Sequence, residues 1–398
     1  MSVKVMAVNA GSSSLKFKLF EMPEEKVITD GVVERIGLED AYFTIRVNGE
    51  KKKQVLPIKD HGVAVAMLLD ALISEHIVKS IDEIKGVGHR IVQGGWYFDD
   101  SVLVDDSVIR KIDELCDLAP LHNPAHLIGI RAFINALPGV PNVTVFDTSF
   151  HQSMEKEAFM YAIPYEWYET YKIRKYGAHG TSHKYVANRC ANLIGKPIED
   201  LKIVTCHLGN GASLCAIEKG KCKDTSMGLT PLEGIPMGTR SGNLDPTVVS
   251  YICSKLNLTA GEVVNMLNKK SGYLGVSGVS NDSRDLEAAM NEGNARAKLA
   301  LDIQYKRIAD YIGSYYVLLG GIDAIVFTAG IGENSPRCRR EVVKRLGVLG
   351  VKIDEEKNNI RGEEILISTP DSKIKVFIIP TDEELVIARD VMRLAHIK

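Results

Sequence analysis

At 398 residues the chain is long enough for two or three domains, and its 45% hydrophobic content suffices for packed cores. A formal net charge of -2 excludes a global basic field, so nucleic acid is not an expected partner and anion affinity must come from local clusters. The seven cysteines (Cys116, Cys190, Cys206, Cys215, Cys222, Cys253 and Cys338) include no C-x-x-C and no zinc-type spacing. Most lie in apolar runs, where a reduced thiol behaves as a small hydrophobe.

In chain order, strands are expected at 3–8, 15–20, 26–35 and 42–47. A helix follows, with Val63, Ala66, Met67, Leu69, Asp70 and Ile73 at helical spacing. Then come a strand around 87–92, helical patterns over 106–118 and 124–137, and a strand at 142–146. A second unit repeats the opening, with strands at 201–207, 213–218 and 221–226. Helices are expected from Asp245, where Asp-Pro marks a cap and first helical position, and across 294–319. A strand at 374–380 leads into a last helix whose Asp382, Glu383 and Glu384 suit its N-terminal dipole end. The boundary is expected just after Phe146-Asp147-Thr148, with the last helix returning to the first unit: 1–148 plus 384–398, and 149–383. No apolar stretch approaches the ~20 residues of a membrane helix, and no charged leader precedes an apolar one. The expectation is an α/β enzyme of a reduced, cytoplasmic compartment, with no membrane partner.

Three small-residue turns follow apolar strands: VNAGSSSLKF (8–17), CHLGNGASL (206–214) and FTAGIGENS (327–335). Such turns let backbone N–H groups approach an anion without a Cβ in the way. No G-x-x-x-x-G-K-[ST] occurs, which excludes a P-loop. Gly209 and Gly211 begin a dinucleotide-like pattern, but Leu214 stands where a third glycine is needed. The first turn offers Gly11, the hydroxyls of Ser12, Ser13 and Ser14, and the charge of Lys16. It reads equally well as an ordinary β-hairpin.

Duplicated strand-rich lobes, each with a phosphate hairpin, are similar to the actin/sugar kinase/Hsp70 ATPase architecture. Within it the chain resembles the acetokinase family over essentially its whole length. The motifs are VNAGSSSLKF, GHRIVQGG, FDTSFHQ, RKYGAHGTSH, HLGNGAS, TPLEGIPMGTRSGNLDP, FTAGIGENS and PTDEEL, in that order. The resemblance implies two duplicated actin-like (ribonuclease H-like) lobes with a nucleotide cleft between them. It implies reversible, direct in-line transfer of the ATP γ-phosphoryl group to acetate, giving acetyl phosphate and ADP. Mg²⁺ or Mn²⁺ and a homodimer are implied as well, with the acyl substrate in the first lobe and the nucleotide in the second.

The resemblance names catalytic groups, and their chemistry suits the task. Arg90 in GHR and Arg240 in PMGTRSGN carry permanent forked charge for a moving phosphoryl group. Arg90 would also hold the carboxyl end of the acyl substrate; a strand-end ion pair is its plain alternative. His179 would donate to the phosphoryl group. The i, i+4 spacing of His179 and His183 suggests zinc, but Gly180, Thr181 and Ser182 read as a turn and cap with no third ligand nearby. His122 and His126 fail similarly, because Pro124 interrupts HNPAH, and His183 is expected to make a structural hydrogen bond. Asp147, ending a buried strand, needs a partner or a solvated site. The family treats it as catalytic, often as a base; organising the metal or orienting the nucleophile is the other role open to it. Acetate is already ionised near neutrality, which favours the second role.

For the metal the resemblance nominates Asn9 and Glu383, with Glu384 as the competing acid. For the nucleotide it nominates His207, Leu208, Gly209, Asn210 and Gly211, then Asp282, Ser283 and Arg284, then Gly330, Ile331, Gly332, Glu333 and Asn334, with Lys16 from the first lobe. GIGEN reads also as a strand-to-helix turn with Ser335 as cap and Pro336 at the first helical position. Val92, Leu121 and Pro231 match the family's acyl pocket. Ala178 stands where phenylalanine is frequent and Gln93 where histidine is common, so longer acyl chains stay open. A propionate or butyrate kinase is the nearest alternative, and an actin- or Hsp70-like ATPase a more distant one.

Overall fold

The computed structural model describes residues 2–120 and 122–397. The chain divides into two compact units, Met1–Phe150 with Asp382–Lys398, and His151–Thr381. These divisions fall within two residues of the expected 148/149 and 383/384.

The first unit holds an eight-stranded sheet. Its strands are β1 (Val3–Gly11), β2 (Ser14–Met22), β3 (Lys26–Glu34), β4 (Tyr42–Val47), β5 (Glu50–Val55), β6 (Ile84–Ile91), β7 (Val102–Leu103) and β8 (Asn142–Phe146), in the order β5-β4-β3-β2-β1-β6-β8-β7. Alternation on β2 sends Leu15, Phe17 and Leu19 into the core and leaves Lys16 exposed. β1 and β2 form the hairpin that the plain reading allowed: Gly11 pairs with Ser14, leaving Ser12 and Ser13 as the turn. β5 was not expected. Its EKKKQV sequence has no apolar alternation and every residue is exposed, as suits a charged edge strand. The helix His61–Ser74 is capped by Asp60, and it buries Ala64, Val65, Leu68, Leu69 and Leu72. Val63 and Ile73, expected to share the helix's apolar face, are exposed instead. So apolar a segment offers more than one face at helical spacing.

The second unit repeats this plan. Its strands are β9 (Lys202–Leu208), β10 (Ala212–Glu218), β11 (Lys221–Thr225), β12 (Ala324–Thr328), β13 (Ile365–Leu366) and β14 (Lys375–Ile378). The order β3-β2-β1-β6-β8 recurs as β11-β10-β9-β12-β14, with the same parallel and antiparallel senses. Each sheet also ends in a short antiparallel edge strand, β7 or β13. The fold is therefore α/β with two duplicated units. The helix Ala295–Leu319 is capped by Asn294 and packs Leu301, Tyr305, Ile308 and Ile312 into the second core. Near Asp245 the expectation shifts by one residue: Pro246 takes the cap position, and Asp245 accepts the Thr247 N–H at 2.9 Å. Among the described residues, no helix is long and apolar enough to cross a membrane.

Candidate active site

Two glycines on β6 set up the charged cluster of the first unit. A Cβ on Gly86 would come within 2.4 Å of Val391, and one on Gly88 within 2.2 Å of Ile387. Their absence lets the helix Glu383–Leu394 lie directly on the strand, which carries its first turn toward Arg90. β6 and β8 run parallel, with Ile91 opposite Phe146, so Arg90 and Asp147 leave the sheet at one edge. Arg90 forks Asp147, with Nε donating to Oδ1 at 3.0 Å and Nη2 to Oδ2 at 2.7 Å. Asp147 is only 1% exposed, and Glu383 lies 3.6 Å from Arg90 Nε. Glu384 turns away to Lys18, at 3.3 Å. Geometry thus separates the two neighbouring acids. Asn9 is partly exposed on β1, opposite Lys16.

One guanidinium faces two carboxylates in this cluster. Burial pushes the Glu383 carboxyl up to about 7; Arg90 opposes the rise, while Asp147 and Glu384 add to it. Burial disfavours the Arg90 charge, but Asp147 and Glu383 raise its pKa overall. Since Glu383 binds its proton more tightly folded than at its ordinary 4.5, its contribution to stability is full below that value and is lost as pH rises through about 7. In metal-free protein the thermal midpoint should therefore fall across this window. Glu383→Gln should flatten that decline, and a parallel decline in the variant would remove Glu383 as its source.

Around this cluster the acyl-side residues divide. Val92 is half-buried just beyond β6, and Leu121 lies outside the described residues. Gln93 is structural: its backbone exchanges two hydrogen bonds with Asn123, and its Oε1 accepts the Gly95 N–H at 2.9 Å. Pro124 sits in the first turn of the helix Asn123–Ala136, where proline is tolerated, rather than interrupting HNPAH, so His122 caps the helix and His126 follows one turn later. Burial, with Arg90's charge next, brings the His126 pKa down to about 3.

In the second unit the HGTSH segment is helical, contrary to the expected turn. The helix Gly180–Ile194 starts there with His179 as its cap, at a left-handed φ of 61°. The two histidines meet on a hydroxyl: Ser213 Oγ lies 2.8 Å from both His179 Nδ1 and His183 Nε2. His183 also bonds Thr205 at 2.7 Å, the structural role expected of it. His179 stacks on His207 at 4.1 Å, and Ser182 holds His207 Nδ1 at 2.8 Å. Arg240 Nη1 donates to the Pro231 carbonyl at 3.3 Å. Among the described residues no carboxylate pairs with Arg240, and burial lowers its pKa. A Cβ on Gly211 would lie 3.4 Å from Arg240 Nη1 and 3.6 Å from His179 Nε2. Gly211, His179 and Arg240 therefore converge on one small space. An uncompensated, half-buried cation at such a point is a ready anion holder.

Beside it opens a cavity of about 490 Å³. Gly209, Asn210, Asp282, Ser283 and Arg284 line it, as do Gly330, Ile331 and Asn334, all nominated from sequence. Asn281, Glu287, Ser335 and Arg361 also line it and were missed. His207, Leu208, Gly211, Gly332 and Glu333 do not line it. Leu208 is fully buried, and Glu333 accepts the N–H groups of Ala329 and Thr381 at 2.7 and 3.2 Å. Gly209 N–H is used within its own turn, donating to Gly211 at 3.0 Å. AGIGEN forms a short helix, Ala329–Asn334, rather than a bare turn, and Ser335 and Pro336 then start the next helix as expected. Ala178 is 3% exposed and lies within the second unit's apolar core.

The Acetokinase family model matches residues 4–389. The acetate kinase of Geobacillus kaustophilus is 60% identical over 394 residues, covering 99% of this chain and 100% of its own. The crystal structure of Porphyromonas gingivalis acetate kinase superposes with a TM-score of 0.95 at 44% identity, over 99% of this chain and 100% of that one. A propionate kinase from Francisella tularensis gives 0.93 at 40% identity, over 98% and 100%.

Proposed function

The chain belongs to the acetokinase family and catalyses ATP-dependent phosphorylation of acetate, and from that premise we propose how its residues divide the work. The second unit binds the nucleotide in the cavity lined by Asn210, Asp282–Arg284, Gly330, Ile331 and Asn334, whose size is within the range of small-molecule sites. Arg240 and His179 hold the γ-phosphoryl group as it moves directly and in line to an acetate oxygen. Arg90 holds the acetate carboxylate. Asp147 acts as a positioning group, because both its oxygens are occupied in aiming Arg90.

The cluster around Arg90 suits a divalent cation. Its two carboxylates exceed its one guanidinium, and Asp147 adds to the rise that burial causes in Glu383's proton affinity. We assign Mg²⁺ to Glu383 and Asn9, since magnesium takes few protein oxygens and keeps waters and phosphate oxygens. When bound it neutralises charge on the phosphate oxygens. A homodimer and a cytoplasmic location are proposed from family resemblance alone.

The observation carrying this reading is the space shared by Gly211, Arg240 and His179. It yields a direct test. A methyl at Gly211 meets neighbours only at ordinary contact distance, so Gly211→Ala should fold normally. It would, however, occupy room intended for phosphoryl oxygens. We expect turnover to fall at least ~100-fold, the scale of losing one well-placed transition-state donor, with an unchanged thermal midpoint. Normal turnover would place the phosphoryl group elsewhere.

A further inference from the structure

The β10–β11 hairpin gathers a donor set that the catalytic scheme does not use. Cys215 lies opposite Thr225, and Cys222 opposite Ile217, with a register shift between Ala216 and Ile217. That one-residue shift turns Cys222 onto the face that carries Cys215. Their sulfurs lie 3.4 Å apart, and His151 Nδ1 is 3.2 Å from Cys222 Sγ and 4.0 Å from Cys215 Sγ. All three side chains are fully buried. The other ring nitrogen, His151 Nε2, donates to the Ala178 carbonyl at 3.0 Å. This bond keeps the proton on Nε2 and aims the Nδ1 lone pair at the sulfurs, as second-shell carbonyls do for metal-binding histidines.

We propose that His151, Cys215 and Cys222 form a structural zinc site, separate from the catalytic groups. One nitrogen and two sulfurs suit a thiophilic d¹⁰ ion. Zinc bonds of ~2.3 Å to sulfur and ~2.0 Å to nitrogen in a tetrahedron set donors ~3.5–3.8 Å apart, and the observed separations of 3.2, 3.4 and 4.0 Å straddle that range. Charge favours a divalent ion. Two thiolates with Zn²⁺ sum to zero, whereas a monovalent ion would leave a net negative charge in a dry interior. Binding releases the two thiol protons to solvent. The Asp224 carbonyl, 3.5 Å from Cys222 Sγ, offers an oxygen for a fourth position.

The site would tie His151 to both hairpin strands and, through Ala178, to the residue preceding His179. His179 holds a left-handed φ of 61°, a conformation that persists only where its surroundings over-determine it. Zinc would supply part of that constraint.

The test uses the full chain, stripped with a chelator under reducing conditions, then loaded with ZnCl₂ or CoCl₂ and desalted. We expect one zinc per chain by elemental analysis, a cobalt–thiolate charge-transfer band, and a thermal midpoint raised by zinc. Cys215→Ser/Cys222→Ser should lose all three, and Cys190→Ser should keep them. Should the double variant not fold, the wild-type cobalt band and its loss in Cys222→Ser alone decide. Wild-type protein without stoichiometric zinc or a cobalt–thiolate band overturns the proposal, leaving a hydrogen-bonded thiol pair. Retention of both by the double variant overturns it equally.

Discussion

Arg240→Ala is expected to lower turnover by about 10³-fold, by comparison with other arginines that stabilise a transferring phosphoryl group. The nucleotide KM should change little, because Arg240 is absent from the residues lining the 490 Å³ cavity. Its guanidinium makes no ion pair among the described residues and bonds only the Pro231 carbonyl and the Met237 sulfur. Removing it therefore breaks no charge pair, and stability should be nearly unchanged or improved. Lysine at this position should recover only part of the loss, since one ammonium cannot fork two oxygens. Turnover within a few-fold of wild type in Arg240→Ala would remove the residue from the mechanism.

Arg90→Ala should behave oppositely, harming both stability and catalysis. It leaves Asp147, 1% exposed, and Glu383 as adjacent carboxylates with their common cation gone. Breaking such a buried pair costs about 3–5 kcal/mol, which should appear as a lowered denaturant midpoint at neutral pH. The loss should shrink in acid, where the orphaned carboxylates can be protonated. In turnover, the acetate KM should rise and kcat fall together, reflecting contact in both ground and transition states. Asp147→Asn provides the companion result. A positioning role predicts a raised acetate KM with no ionisation lost near neutrality from the pH profile of kcat/KM. Loss of that limb with Arg90 still in place would establish Asp147 as a base.

Much of this was legible in the sequence because it is local. Each small-residue turn follows an apolar strand, and β1–β2 and β9–β10 formed where Gly11–Ser14 and Gly209–Gly211 allow. Segments lacking a periodic signal were missed: β5 is charged throughout, and the helix Gly180–Ile194 opens on a left-handed histidine followed by Gly-Thr-Ser, which imitates a turn. The Arg90–Asp147 fork depends on the parallel register of β6 and β8, which neither segment specifies alone. Asn281 precedes the nominated 282–284 and Glu287 follows one turn later on the helix they begin, whereas Arg361 comes from an irregular segment with no motif. Cys215 and Cys222 become neighbours only through a one-residue bulge.

The central claim is direct transfer, in which no side chain accepts the phosphoryl group. It is tested by running the reaction with ATP whose γ-phosphoryl group is made chiral with oxygen isotopes, and reading the configuration of the acetyl phosphate formed. A single in-line displacement predicts inversion at phosphorus. Net retention would require a phosphorylated residue on the path, and would contradict the roles given to Arg240, His179 and Arg90.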